Sequence, residues 1–163
     1  MAQTDCFLKI DGIDGESTDD QFANWIELKS WSWGANNNRG HAGATSSGTG
    51  KVAMHDMSFT ALTNAASPSV AQACATGKPI ASAELDCRVS GNPPQVKMKI
   101  KLTDVYVSSY QTGSSEGNSV HPTDTFTLNY GKIEFSYGKQ DDKGKVNTLD
   151  KKMSHDLRTN KPS

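Results

Sequence analysis

Between residues 80 and 102 the chain alternates in polarity, and this period-two pattern excludes a helix there and requires paired strands. Ala81, Ala83, Leu85, Cys87 and Val89 occupy one phase, and Ser82, Glu84, Asp86, Arg88 and Ser90 the other. Gly91, Asn92, Pro93 and Pro94 then supply turn chemistry, after which Val96, Met98, Ile100 and Leu102 alternate with Lys97, Lys99 and Lys101. This predicts a β-hairpin with one apolar and one wet face. A register pairing Ser90 with Gln95 sets Asp86 against Lys99 and Glu84 against Lys101, opposite charges worth ~0.2–1 kcal/mol each. The same register sets Arg88 against Lys97, at some cost. The lysine row reads as a solvated sheet face.

The apolar phase slips after Leu102, because Val105 and Val107 fall on odd positions, and a bulge near Thr103 and Asp104 returns them to the core side. Two further strands are predicted at Phe126, Leu128, Tyr130 and at Ile133, Phe135, Tyr137, with Gly131 and Lys132 as a tight turn between them. A weak last strand holds Met153, His155 and Leu157. Near the start Cys6, Leu8 and Ile10 alternate, and another strand runs from about Trp25 to Trp33. Trp31 and Trp33 are opposite in phase to Ile26 and Leu28, which implies a kink near Lys29 or Ser30. Seven or more short strands predict a mainly β fold, a barrel or sandwich.

One helix is predicted, over residues 68–75, with Ser67 as cap, Pro68 at the first helical position, Gly77 at the left-handed exit, and Val70, Ala71 and Cys74 as the buried face. Residues 35–50 lack apolar periodicity and exceed the ~12–15 residues at which structureless loops become uncommon. Such a loop is either a mobile surface segment or an arm that orders on a neighbouring subunit. Residues 111–124 form a second polar loop, and residues 139–152 a loosely ordered polar connection.

The 163 residues suit a single domain, 1–163, able to bury an ordinary core. A net charge of −1 leaves no positive excess to neutralise phosphates or hold an anionic membrane, so neither nucleic acid nor membrane is an expected partner. Cys6, Cys74 and Cys87 are odd in number and widely spaced, without a disulfide or zinc pattern, which points to a reducing compartment. The first ten residues have no positive leading segment or sustained apolar run, so synthesis in the cytoplasm, and any export without a cleaved signal, are expected.

Candidate chemistry is thin. Gly48, Thr49, Gly50 and Lys51 approach a phosphate-binding loop, but Thr45 and Val52 stand where that motif needs glycine and a hydroxyl residue. His41, His55, His121 and His155 are scattered with no metal-ligand spacing, and there is no GxSxG elbow. The expected chain is non-enzymatic and carries no cofactor and no metal. Trp31 and Trp33 are either core anchors or a stacking platform for sugar or base, which keeps open a monomeric β-sandwich module for ligand or carbohydrate binding.

In order along the chain stand DGESTDD (residues 14–20), a strand ending WSWG, the loop closing on Gly50, Lys51 and Val52, DMSF (56–59), ASPSV, ACATGK and KLTDVYVSSYQTGSS (101–115). Together these resemble the haemolysin-coregulated protein (Hcp) family of type VI secretion, from about Phe7 to Leu157. Ala61, Asn64 and His155 depart from the residues usual in that family. The resemblance implies a compact β-barrel of two packed antiparallel sheets, one short helix on its side and a long extended loop. It also implies a homohexameric ring, rings stacked into a tube, and as partners a VgrG-type spike, sheath proteins and small effectors carried in the lumen. On this reading Ser30 and Ser32 face the lumen and its effectors, with Trp31 and Trp33 anchored behind them. Asn36, Asn37, Asn38, Arg39, His41 and Lys51 belong to the arm and subunit interface.

Overall fold

A computed structural model describes residues 4–37, 52–91, 93–115, 121–159 and 161–162. The strands are β1 (Thr4–Ile10), β2 (Ile26–Glu27), β3 (Ser30–Ser32), β4 (Ala35–Asn37), β5 (Val52–Met54) and β6 (Met57–Leu62). After the helix α1 (Ser67–Thr76) come β7 (Ile80–Val89), β8 (Gln95–Gly113), β9 (Thr123–Tyr137), β10 (Lys151–Asp156) and β11 (Lys161–Pro162). The mainly β class with one short helix is as expected. All pairings are antiparallel, and nine strands share one sheet in the order β11-β10-β9-β8-β7-β1-β2, with β6 joining β3 to β9.

The sheet wraps round a core that includes Leu8, Ile26, Phe59, Leu85, Ile100, Leu102, Leu128 and Ile133. Segment 26–32 joins its two sides: β2 pairs with β1 and β3 pairs with β6. Leu28 N–H donates to Cys6 carbonyl oxygen and Lys29 N–H to that of Thr60, so the expected kink falls where the backbone changes partner. The remaining pair, β4–β5, is a separate two-stranded ribbon. Residues 35–37 are therefore strand, where the sequence predicted loop.

The β7–β8 hairpin forms with Asp86 opposite Lys99 and Glu84 opposite Lys101, as expected. A register shift at Cys87/Arg88 then sets Arg88 opposite Val96, so the anticipated Arg88–Lys97 clash does not arise. The wet face of β7 also needs correction, since Asp86 and Arg88 are buried. Residues 14–25 fold over that end of the strand. Arg88 donates to both carboxylate oxygens of Asp19 and lies 5.1 and 5.4 Å from the ring centres of Phe7 and Phe22. The paired guanidinium and flanking rings compensate for burying the charge.

β9 is one continuous strand, and the tight turn expected at Gly131–Lys132 is absent. The predicted slip after Leu102 is present: Asp104 adopts φ 54°, and Leu102 and Val105 are both buried. Across the ladder Tyr130 and Ile133 are buried with two residues between them, so β8 and β9 slip together. Leu102↔Ile133 and Val105↔Tyr130 consequently keep one register. A separate irregularity lies between Val107 and Ser109.

Ser67 lies within α1 and is not its cap. Ala66 holds the cap position with no side-chain bond, while the Ser67 hydroxyl donates to Asp124 and accepts from Asn64 N–H at 2.9 Å. Ser67, Val70 and Ala73 form the buried face in place of Val70, Ala71 and Cys74, and Gly77 closes the helix at φ 65° as expected. Burial pushes the Asp124 carboxyl up, but hydroxyls of Ser67, Thr112, Thr63 and Tyr110 outweigh it and hold the group below its ordinary value. The connection at 139–152 is more ordered than expected. Gln140 bridges Val146, Asp141 accepts N–H bonds from Lys143 and Lys145 at 2.9 and 2.8 Å, and Gly144 takes φ 81°.

Cys6 and Cys87 are direct partners on β1 and β7 and are joined by a disulfide, with Cα atoms 4.2 Å apart. This overturns the expectation of unpaired cysteines. A separation of 81 residues carries no spacing signal, whereas adjacent strands bring the two together. Cys74 is free and half-buried.

Candidate functional site

The residues singled out at 30–33 lie on and just after β3, whose register is Ser30↔Thr60, Trp31↔Phe59 and Ser32↔Ser58. Because side chains alternate along a strand, Trp31 shares the core side with Phe59 while Ser30 and Ser32 point outward and are exposed. Trp33 also packs against the core. Its indole N–H donates to the Tyr130 hydroxyl, which donates at 2.7 Å to the His55 carbonyl oxygen. That indole N–H is committed inside the protein, which disfavours a sugar-stacking platform.

Following the register outward extends the two serines into a surface. Ser32 continues through Ser58 and Thr127 to Ser109, and Ser30 through Thr60 and Thr125 to Gln111, across β3, β6, β9 and β8. These eight side chains are uncharged and mostly small. The Ser109 and Thr127 hydroxyls lie 2.6 Å apart, Ser108 and Thr127 hydroxyls 2.7 Å apart, and Ser108 donates to Asp56 at 2.7 Å. Asn129 donates to the other Asp56 oxygen at 2.8 Å, tying the rim of this face to β9. Sequence reading found only the two serines. The available signal was Thr123, Thr125 and Thr127 alternating with Asp124, Phe126 and Leu128.

The outer face formed by β7, the first half of β8 and the second half of β9 differs in chemistry. It carries Glu84, Lys99, Lys101, Lys132 and Glu134, with Lys99 3.2 Å from Glu84 and 3.9 Å from Asp86. Within the lysine row Lys99 is thus ion-paired, and exposed pairs of this kind contribute little to stability.

Of the residues expected in the arm, Asn36 and Asn37 are exposed on β4 and pair with Ala53 and Val52 of β5. Asn38, Arg39, His41 and Lys51 lie outside the described residues, as does the Gly48–Lys51 motif. Among the described residues no group of three His, Cys, Asp or Glu side chains is placed to hold a metal ion, and no helix is long and apolar enough to cross a membrane.

The family described as "Type VI secretion system effector, Hcp" matches residues 7–137. This chain belongs to the Hcp family. Over 137 residues it is 34% identical to "Protein hcp1" of Pseudomonas aeruginosa, covering 83% of this chain and 84% of that one. Two solved structures are similar throughout. One is described as a type six secretion system protein, with TM-score 0.92, 32% identity, and coverage of 99% of this chain and 100% of that one. The other is Hcp1 from Salmonella typhimurium, with TM-score 0.80, 32% identity, and full coverage of both chains. This Hcp-family chain is therefore a type VI secretion protein, of a family that serves secretion structurally and is not one of enzymes.

Proposed function

We propose that this chain is the tube subunit of its secretion system. Six copies close head to tail into a ring, rings stack into a tube, and the tube carries small effectors in its lumen. The observation that carries the reading is family membership over residues 7–137, combined with a broad outer sheet face that is uncharged, small and rich in hydroxyls. A surface lining a conduit has to admit unrelated cargo and release it. Short hydroxyls offer many weak hydrogen bonds without the fixed partner choice that an array of charges imposes.

Ser30 and Ser32 lie at the β3 edge of this proposed lumen face. Asn36, Asn37, Asn38, Arg39, His41 and Lys51 belong to an arm that reaches a neighbouring subunit, and the β4–β5 ribbon supplies its paired base. Head-to-tail contacts close into a ring when their rotation divides a full turn, and they cover otherwise open strand edges. The remaining partners are a VgrG-type spike at the tip and sheath proteins outside. Synthesis takes place in the cytoplasm, and export proceeds with the tube. Electron microscopy of the purified chain with native mass spectrometry tests the assembly. Uniform six-copy rings with a central hole are expected, and monomer alone at micromolar concentration overturns the reading.

A further inference from the structure

We propose that Cys6–Cys87 is a thiol–disulfide exchange site open to small thiols in the folded protein, with Cys6 as the sulfur that meets the reagent. The first support is location. Both cysteines line a pocket of about 240 Å³ with Trp31, Val89, Lys97, Met98 and Tyr137, so the bond borders open space at the margin of the core cluster to which Cys87 belongs. The second is asymmetry. Cys87 is only 4% exposed, whereas Cys6 is partly buried, so an incoming sulfur reaches Cys6 first and Cys87 is the inner, resolving partner.

The third support is that the pair is held in place by something other than itself. β1 and β7 are joined by seven residue pairs from Thr4↔Val89 to Ile10↔Ala83, with Cys6↔Cys87 inside that ladder. The ladder keeps the two thiols opposed after reduction, so the bond can break and re-form without rearrangement of the chain. Small domains depend on disulfides because they lack core, but a 163-residue chain with an extensive apolar interior does not. Lys97, whose ammonium lies 5.5 Å from the Tyr137 ring centre, lines the same pocket, and a cation there favours an anionic reagent.

The reagent class is a low-molecular-weight thiol and its disulfide, such as glutathione. In oxidation, the Cys6 thiolate attacks one sulfur of the small disulfide, whose S–S bond breaks and releases one small thiolate. The Cys87 thiolate then attacks Cys6 Sγ and expels the second. Two protein thiols thereby lose two electrons and two protons, and one small disulfide becomes two thiols. Reduction is the reverse. On the tube reading above, a chain made in a reducing compartment and delivered outside it changes covalent state in transit.

The test uses the full folded chain and glutathione. The unsubstituted protein is equilibrated in native buffer at a series of reduced-to-oxidised glutathione ratios, acid-quenched, alkylated and mapped by mass spectrometry, while circular dichroism follows the fold. Reversible interconversion of disulfide and dithiol at Cys6 and Cys87 with an unchanged spectrum is expected. Reduction only in denaturant, or a dithiol that does not reoxidise, overturns the proposal. In a Cys74→Ser background, Cys87→Ser should take up one glutathione at Cys6 about tenfold faster than Cys6→Ser takes it up at Cys87. Equal rates, or a faster reaction at Cys87, remove Cys6 from its role, and the unsubstituted chain still decides reversibility if either variant fails to fold.

Discussion

Asp104 and Gly131 occupy matching positions in β8 and β9, so close that a Cβ added to Gly131 would lie 3.1 Å from Asp104 Cβ. The flanking pairs are Thr103↔Lys132 and Val105↔Tyr130, and Asp104 itself has φ 54°. The irregular residue of one strand is accommodated by the missing side chain of the other. Gly131→Ala should therefore destabilise the chain by ~1–2 kcal/mol, since the opposing Cβ must give by a few tenths of an ångström while the nearby Arg158 side chain moves more freely. Gly131→Val should cost more. Urea unfolding measures this, and an unchanged midpoint in both variants contradicts it.

Asp86 gives the chain an acid-side dependence of unusual sign. Burial is the main cause pushing its carboxyl up to about 6 from 3.8; the Glu84 carboxylate adds to this and the Lys99 ammonium opposes it. One of its oxygens, Oδ1, is buried without a hydrogen-bond partner among the described residues. A folded-state value above the unfolded one means that the group's stabilising contribution is fully present below about pH 4 and is lost as pH rises through about 6. Asp86→Asn should raise the melting temperature at pH 7 relative to the unsubstituted protein, with the difference shrinking towards pH 4. Thermal melts across pH 4–8 provide the check, and a difference that does not vary with pH rejects it.

Reduction of Cys6–Cys87 should leave the fold intact and lower its stability. A cross-link spanning 81 residues restricts the unfolded chain by ~4.5 kcal/mol in the chain-entropy account, and measured values often fall lower, at about 2 kcal/mol. Urea titrations of the oxidised and dithiol forms should show a lower midpoint for the latter with both transitions cooperative. Equal midpoints would show that the bond adds nothing.

Ser32→Gln probes the hydroxyl face. Ser32 is exposed and opposite Ser58, so a longer side chain at that point has room to extend without disturbing Trp31 or Phe59 behind it. Normal rings with reduced effector retention, measured by co-purification, are expected if this face lines the lumen. Loss of rings would move Ser32 to a subunit contact, and unchanged retention would end its assignment to cargo.

Where local pattern and tertiary environment agree, the sequence was readable: the β7–β8 hairpin, the kink at Lys29 and the helix exit at Gly77 all follow from spacing and turn chemistry. Gly131 was misread because a phase slip beside glycine looks the same whether the strand ends or merely kinks. The environment of Arg88 was hidden because Asp19, Gln21 and Phe22, far away in sequence, pack against it. Ser30 and Ser32 were legible as outward-facing from the tryptophans between and beside them. The rows that they continue depend on the partner order β3-β6-β9-β8, which no local window contains.

β9 changes partner along its length: Thr123 to Leu128 pair with β6, and Lys132 to Tyr137 pair with β10, while β8 accompanies both halves. The hydroxyl-lined leaf and the ion-paired leaf are thus cut from the same two ribbons of backbone, with the Asp104–Gly131 crease between them. No linker intervenes that could act as a pivot. A load applied to one leaf reaches the other through covalent chain and a ladder strained along its whole length, so the chain should transmit thrust as a stiff strut.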